Sequence, residues 1–263
     1  MMAVQENNIA RQFSRAAAAY DHTASIQKQI AKAGLAMLPG NTGRVLDIGC
    51  GTGCNTWHLA QCGFIATGLD IAPGMLDYAR SCYPEIEFVH GDAQRLPYEH
   101  AVFDRVFSSM ALQWCSDPDE VMQQVFEVLK NRGVAGLNIM VAGSFHELDN
   151  SRRAAGLRVT TNPMFSHDDW HSAAASVGFT VRHALKKTYT DTFDDVLALL
   201  RSIKGVGAGT CLDPILDTSP DKHARQSLSR TDLLELNQAY RTFALSDGQL
   251  PLSYQVSHFI LEK

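Results

Sequence analysis

No apolar run in this chain is long enough to span a bilayer, and its start, Met1-Met2-Ala3-Val4-Gln5-Glu6-Asn7-Asn8, lacks the apolar core of a signal peptide. Both absences argue for a cytoplasmic protein with no membrane partner. There is no basic excess: 23 Lys and Arg stand against 28 Asp and Glu, a formal charge of -5, which argues against nucleic acid as the main partner and leaves room only for a local basic patch. The six cysteines, at 50, 54, 62, 82, 115 and 211, form no Cys-x-x-Cys pair and read as reduced thiols rather than a disulfide framework or zinc site. His167 and His171 lie four apart but have no third ligand in sight, so they read as a polar helix start and no metal is expected. Internal repeats and low-complexity tracts are also missing. With 45% hydrophobic and 19% charged residues the chain is expected to fold throughout, as a single domain over 1–263.

What is present is a rhythm. Val45-Leu46-Asp47-Ile48 is an apolar run ending on Gly49-Cys50-Gly51-Thr52-Gly53, a buried strand running into a glycine turn, and Cys54 to Ala60 has the residue types of a helix start. Such a unit offers a small ligand backbone N–H groups and a helix N-terminus. Phe64–Ile71 reads as a second strand ending on Asp70, followed by a helix that Pro73 opens; Glu87–Asp92, Phe103–Ser109 and Gly133–Val141 read as further strands, with a helix over Pro118–Lys130. Strands alternating with helices predict a mostly parallel sheet covered on both faces. Two helices over about 5–38 precede it, with Ile9, Phe13, Ala17 and Tyr20 sharing a face. Beyond 142 a helix is expected over 168–177, a strand over 179–184, an amphipathic helix over 193–204 and another over 229–240, before a last strand over 252–261. The stretch from about 190 to 250 reads as a helical cap inserted between the last two strands. Within it, Gly205-Val206-Gly207-Ala208-Gly209 reads as a helix end and bend, and 211–229 as a surface loop.

The glycine spacing does not fit a dinucleotide fingerprint, since Cys54 stands where Gly-x-Gly-x-x-Gly wants its last glycine. Asp-x-Gly-x-Gly-x-Gly at 47–53, the acid at Asp70 and the Gly91-Asp92 pair instead resemble, in order, the motifs of class I S-adenosylmethionine-dependent methyltransferases. That resemblance implies a Rossmann-like α/β fold with an antiparallel last strand and a cofactor core over 43–142. It implies a cofactor site of Asp47, Gly49, Gly51, Gly53, Asp70, Ile71, Met75, Asp92, Ala93 and Ser108. Asp70 would accept from the ribose hydroxyls, Asp92 and Ala93 would read the adenine edge, Met75 and Leu76 would face its ring, and Asp47 would order the turn or face the methionine ammonium.

The flanks narrow the resemblance. Phe13–Asp21, Ala111–Cys115, Gly143–Leu148, Leu200–Ala208 and Leu250–Tyr254 are together similar to the malonyl-acyl-carrier-protein O-methyltransferases of biotin synthesis. Lys130-Asn131-Arg132-Gly133, where the superfamily has Pro-Gly-Gly, and the long 211–229 loop depart from the pattern. The resemblance implies transfer of the sulfonium methyl of S-adenosylmethionine, leaving S-adenosylhomocysteine, to the carboxylate of a malonyl thioester on acyl carrier protein or coenzyme A. A carboxylate is ionised at neutral pH, so no general base is expected. Tyr20 is the candidate to position that carboxylate, and Arg201, with Lys204, Arg152 and Arg153 behind it, is the candidate to grip it or to meet an acidic carrier protein. Competing expectations are a methyltransferase of another lipid-like or quinone acceptor, a cofactor-binding regulator without catalysis and, least favoured by the glycine spacing, a redox Rossmann protein.

Overall fold

The computed structural model describes residues 2–206 and 228–263. Two helices open the chain, α1 (Met2–Thr23) and α2 (Ser25–Met37), followed by β1 (Arg44–Ile48), α3 (Cys54–Gln61), β2 (Ile65–Asp70), α4 (Pro73–Cys82), β3 (Glu87–His90) and β4 (Phe103–Ser109). A one-turn 3-10 helix (Leu112–Trp114), α5 (Pro118–Val128), β5 (Leu129–Met140), α6 (His146–Ala154), α7 (His167–Ser176) and β6 (Thr180–Phe193) come next. Then α8 (Val196–Gly205), α9 (Arg230–Tyr240), a further 3-10 turn (Arg241–Phe243) and β7 (Leu250–Glu262) complete it. The seven strands form one sheet in the order β3-β2-β1-β4-β5-β7-β6. Every pairing is parallel except those of β7, which runs antiparallel between β5 and β6. The Rossmann-like class I arrangement implied by the motifs is the one observed.

The interior explains the pattern. β1, β4 and β5 are buried on both faces, which is why they read as continuous apolar runs. One face packs on α5 and α7 through Val121, Met122, Val125, Trp170 and Ala174; the other gathers α2, α6, α8 and α9 around Ile30, Leu148, Leu199, Leu236 and Tyr240.

Four departures from expectation have local causes. The helix expected to reach Lys130 stops at Val128, because Leu129 is already extended and pairs with Phe103; the four residues 130–133 are absorbed as an irregularity, with Arg132 at φ 63° and Lys130 Nζ on the Asp104 carboxylate at 2.9 Å. β6 runs to Phe193 and β7 starts at Leu250, so the strands are longer than their alternation suggested and the insertion between them is correspondingly shorter. β6 is the sheet edge and almost wholly exposed, so burial leaves no periodic mark on it. Helix α6 carried no apolar periodicity because the stripe it buries is Glu147, Leu148, Ser151 and Arg152, three of them polar. The expected bend at 207–209 and loop at 211–227, Cys211 included, lie outside the described residues.

Candidate active site

Strand order reverses between β2-β1 and β4-β5, and open α/β sheets receive ligands at that point, outside the carboxyl ends of their strands. A cavity of about 850 Å³ lies there. Each strand end contributes a segment to its wall: Ile48, Gly49 and Gly51 after β1; Leu69, Asp70 and Ile71 after β2; Gly91 to Gln94 after β3; Ser109 to Leu112 after β4. Ile9, Phe13 and Tyr20 of α1 close it from above, and Met75 of α4 from the side.

The β1 turn is shaped by what surrounds it. Gly49 and Cys50 both donate to Leu69 O, at 2.7 and 3.0 Å, folding the turn over the end of β2. Gly49 sits at φ 72°, and a Cβ there would meet the Cβ of Ala111 at 2.1 Å, so neither backbone nor space admits a side chain. A Cβ on Gly51 would meet nothing within 4 Å, because that position faces the cavity. Asp70 is fixed before any ligand arrives: its carboxylate oxygens accept from Gly51 N and Ala72 N, both at 2.8 Å. Burial raises its pKa, opposed by the N–H donors of Ala72, Gly51 and Ile71. Asp92 caps its own loop, accepting from Gln94 N at 2.9 Å.

Of the residues that the motifs implicate, Gly49, Gly51, Asp70, Ile71, Met75, Asp92 and Ala93 line this cavity together with Tyr20. Three stand behind the wall. Asp47 is buried and accepts from Thr56 Oγ1 at 2.7 Å, tying β1 to α3; burial, with the charge of Asp70, pushes its carboxyl up to about 7 against that hydrogen bond. Gly53 is a glycine for packing, since a Cβ there would meet Phe88 at 2.7 Å. Ser108 donates to Ile48 O at 2.8 Å, sewing β4 to β1, and it is the next residue, Ser109, that reaches the cavity. Strand alternation decides between two adjacent serines, which composition could not do.

Helix α1 is fastened on both sides of the opening. Gly74 N donates to Ser14 Oγ at 3.0 Å and Thr52 Oγ1 to Asp21 Oδ1 at 3.0 Å, while Phe13 meets Trp114 edge-on at 5.6 Å. Tyr20 is half-buried, and burial with the charges of Asp70 and Asp21 pushes its phenol far above the usual range, so it is a neutral O–H at working pH.

A second cavity, of about 370 Å³, shares Phe13, Tyr20, Met110 and Trp114 with the first and extends between Gln27, Gln113, Met140, Phe145, Ile203, Val206 and Tyr254. Among the described residues no Lys or Arg lines either one. Arg201 and Lys204 are exposed on α8, whose Ile203 turns inward to the second cavity. Arg152 is buried and donates to Arg158 O, and Arg153 is exposed beside Asn150. None of the four cations expected to grip the acceptor therefore lines either cavity. No cluster of three metal-ligating side chains occurs among the described residues, and His167 accepts or donates to Ser257 at 2.8 Å inside a capped helix start.

Comparison with known proteins places this geometry. The family described as a methyltransferase domain matches residues 46–137. The malonyl-[acyl-carrier protein] O-methyltransferase of Serratia marcescens is 32% identical over 265 residues, covering 98% of this chain and 96% of its own. The chain belongs to the malonyl-[acyl-carrier protein] O-methyltransferase family. It also matches, at 32% identity over 99% of its length, about half (51%) of the biotin biosynthesis bifunctional protein BioHC of Cellvibrio japonicus. The YcgJ protein of Bacillus subtilis superposes with a TM-score of 0.57 at 19% identity, over 90% of this chain and 96% of that one, a likeness of fold alone.

S-adenosylmethionine is the methyl donor of this methyltransferase, and the cavity fits it on its own terms. The open space beside Gly51 takes a ligand against the backbone. Asp70 offers its remaining lone pairs to a diol. Ser109 Oγ is a buried hydroxyl on the wall with no partner among the described residues. Among the described residues no Lys or Arg lines this cavity to attract the phosphates that a dinucleotide would bring.

Proposed function

We propose that the chain methylates the free carboxylate of a malonyl thioester carried on acyl carrier protein, giving the methyl ester that primes biotin synthesis. The observation that carries the proposal is the second cavity: it shares four lining residues with the cofactor cavity and is walled without charge. It is joined by likeness to the malonyl-[acyl-carrier protein] O-methyltransferases over nearly the whole chain.

When bound, S-adenosylmethionine supplies an electrophilic methyl on a sulfonium. A carboxylate oxygen forms the new O–C bond as the S–C bond breaks and its electron pair stays on sulfur, so a negative and a positive charge disappear together. The protein has no proton to remove, and its contribution is to align and to dry the pair. Phe13, Met110 and Trp114 at the junction exclude water, and charges that neutralise one another react more readily where water does not hold them apart. A cation gripping the carboxylate would stabilise the ground state more than a transition state in which that charge is vanishing. An uncharged hydroxyl suits the task better. Tyr20, neutral and shared by both cavities, directs one carboxylate oxygen and leaves the other to react. Arg201 and Lys204, outside on α8, are placed to meet an acidic carrier protein. Intact mass spectrometry of malonyl carrier protein after incubation with enzyme and cofactor should read the gain of one methylene; an unchanged mass overturns the proposal.

A further inference from the structure

Besides the hydroxyls of Tyr20 and Tyr254 and the indole N–H of Trp114, the polar side chains that line the second cavity are two carboxamides. The carboxamide oxygens of Gln27 and Gln113 are buried, and among the described residues nothing donates to either. At Gln113 the orientation is set. Its Nε2 donates to Met110 O at 2.7 Å, so Oε1 is the atom left without a partner among the described residues. Met110 holds φ 58°, a conformation that costs a side-chain-bearing residue on the order of 1–3 kcal/mol and persists only where its surroundings impose it. Met110 N is meanwhile bound to Asn138 O at 2.9 Å, and Cys115 and Trp114 close the following turn on Leu112 and Ala111. A strained turn, pinned from both sides, thus holds Gln113, with its unpaired oxygen, among the residues that line the second cavity and not the first.

A buried oxygen of this kind repels a carboxylate and calls for a donor. We propose that Gln113 is a specificity-determining residue whose Oε1 accepts the amide N–H that follows the thioester sulfur in the acceptor's arm. The inference rests on the malonyl thioester reading above. With the carboxylate at the junction beside Tyr20, the remainder of the acceptor runs into the second cavity, and the first N–H along it comes several bonds beyond, on the far side of the sulfur. Carrier protein and coenzyme A share that amide. The cavity therefore reads the arm as a thioester of this kind and not merely as a malonate half-ester.

The test uses the full chain and two malonyl thioesters that differ by one group: that of N-acetylcysteamine, and that of 2-acetoxyethanethiol, in which oxygen replaces the N–H. The wild-type enzyme should prefer the amide by at least tenfold in kcat/KM, since a site built around a hydrogen bond rejects the analogue that lacks it. Gln113→Met should bring the preference near unity by lowering the amide acceptor alone, with cofactor affinity by calorimetry unchanged. Malonyl carrier protein and malonyl-CoA, run alongside, should both fall with Gln113→Met; a loss confined to one would assign the contact to that carrier's own groups and overturn the inference. Wild-type indifference to the N–H overturns it whatever the variant's stability, as does an equal loss on both small thioesters, which would reduce Gln113 to a brace for Met110. If wild type methylates none of the malonyl acceptors, the substrate reading itself has failed, and that outcome is distinct from the others.

Discussion

Gly49 tolerates least of any position in the turn. A methyl there would lie 2.1 Å from the Ala111 methyl on a backbone already at positive φ, so Gly49→Ala should cost roughly 1–3 kcal/mol or more, read as a lower denaturant midpoint. With Asp70 proposed as the diol acceptor, Asp70→Ala removes that acceptor and the brace on Gly51, and should weaken cofactor binding at least tenfold by calorimetry. Asp47 governs a pH dependence. Its carboxyl titrates near 7 in the folded chain against about 4 when unfolded, so the folded state holds its proton more tightly and the stability this gives is lost as pH rises through that window. His258, buried between Asn138 and Tyr189 and lowered to about 4, works in reverse, losing stability as pH falls from about 6.5. Asp47→Asn leaves the second slope unopposed, so its thermal midpoint should climb more steeply from pH 5 to 7 than that of the wild type.

Among the elements, α1 matters most to the site because its Ile9, Phe13 and Tyr20 line the cofactor cavity and it is pinned by Ser14 to α4 and by Asp21 to the glycine turn. Gly74 lets the two helices touch: a Cβ there would come within 3 Å of the Ser14 backbone. Gly74→Ala favours helix α4 on propensity yet forces α1 outward, so cofactor affinity should fall roughly tenfold while the midpoint of unfolding moves little. Unchanged affinity would show that α1 does not close the site. The sequence made this helix legible through the shared face of Ile9, Phe13, Ala17 and Tyr20, and the strands through apolar runs ending on Asp47, Asp70 and Asp92. It could not show which neighbour each side chain meets. Ser108 and Ser109 are chemically alike, and only the pleat sends one to Ile48 and the other to the cavity. Ser14 is an ordinary helix residue until a long-range contact with Gly74 gives it a partner, Gln113 is one until the turn at Met110 takes up its amide N–H, and α6 buries polar groups that no apolar periodicity records. The cations of the second half drew attention as carboxylate partners by charge alone, but position decides, and none of the four lines either cavity.

At the scale of the molecule, the proposed acceptor asks a chain of net charge -5 to receive an acidic carrier protein, and we propose the exposed Arg201 and Lys204 of α8 for that contact. Arg201→Glu with Lys204→Glu should raise KM for malonyl carrier protein several-fold, more at low salt, and leave kcat and the KM for small malonyl thioesters near the wild-type values. The strand ends and α1 wall the cofactor cavity, residues from both halves of the chain wall the second, Ile203 and Val206 of the insertion among them, and we propose that the reaction occurs where the two share Tyr20. The most direct test of this account offers the enzyme S-adenosylmethionine labelled in its methyl group with malonyl carrier protein and, separately, acetyl carrier protein, which has the same arm and no free carboxylate. Label should pass to the malonyl form alone, in a bond that mild base releases as methanol. Equal labelling of the two, or label stable to base, would contradict it.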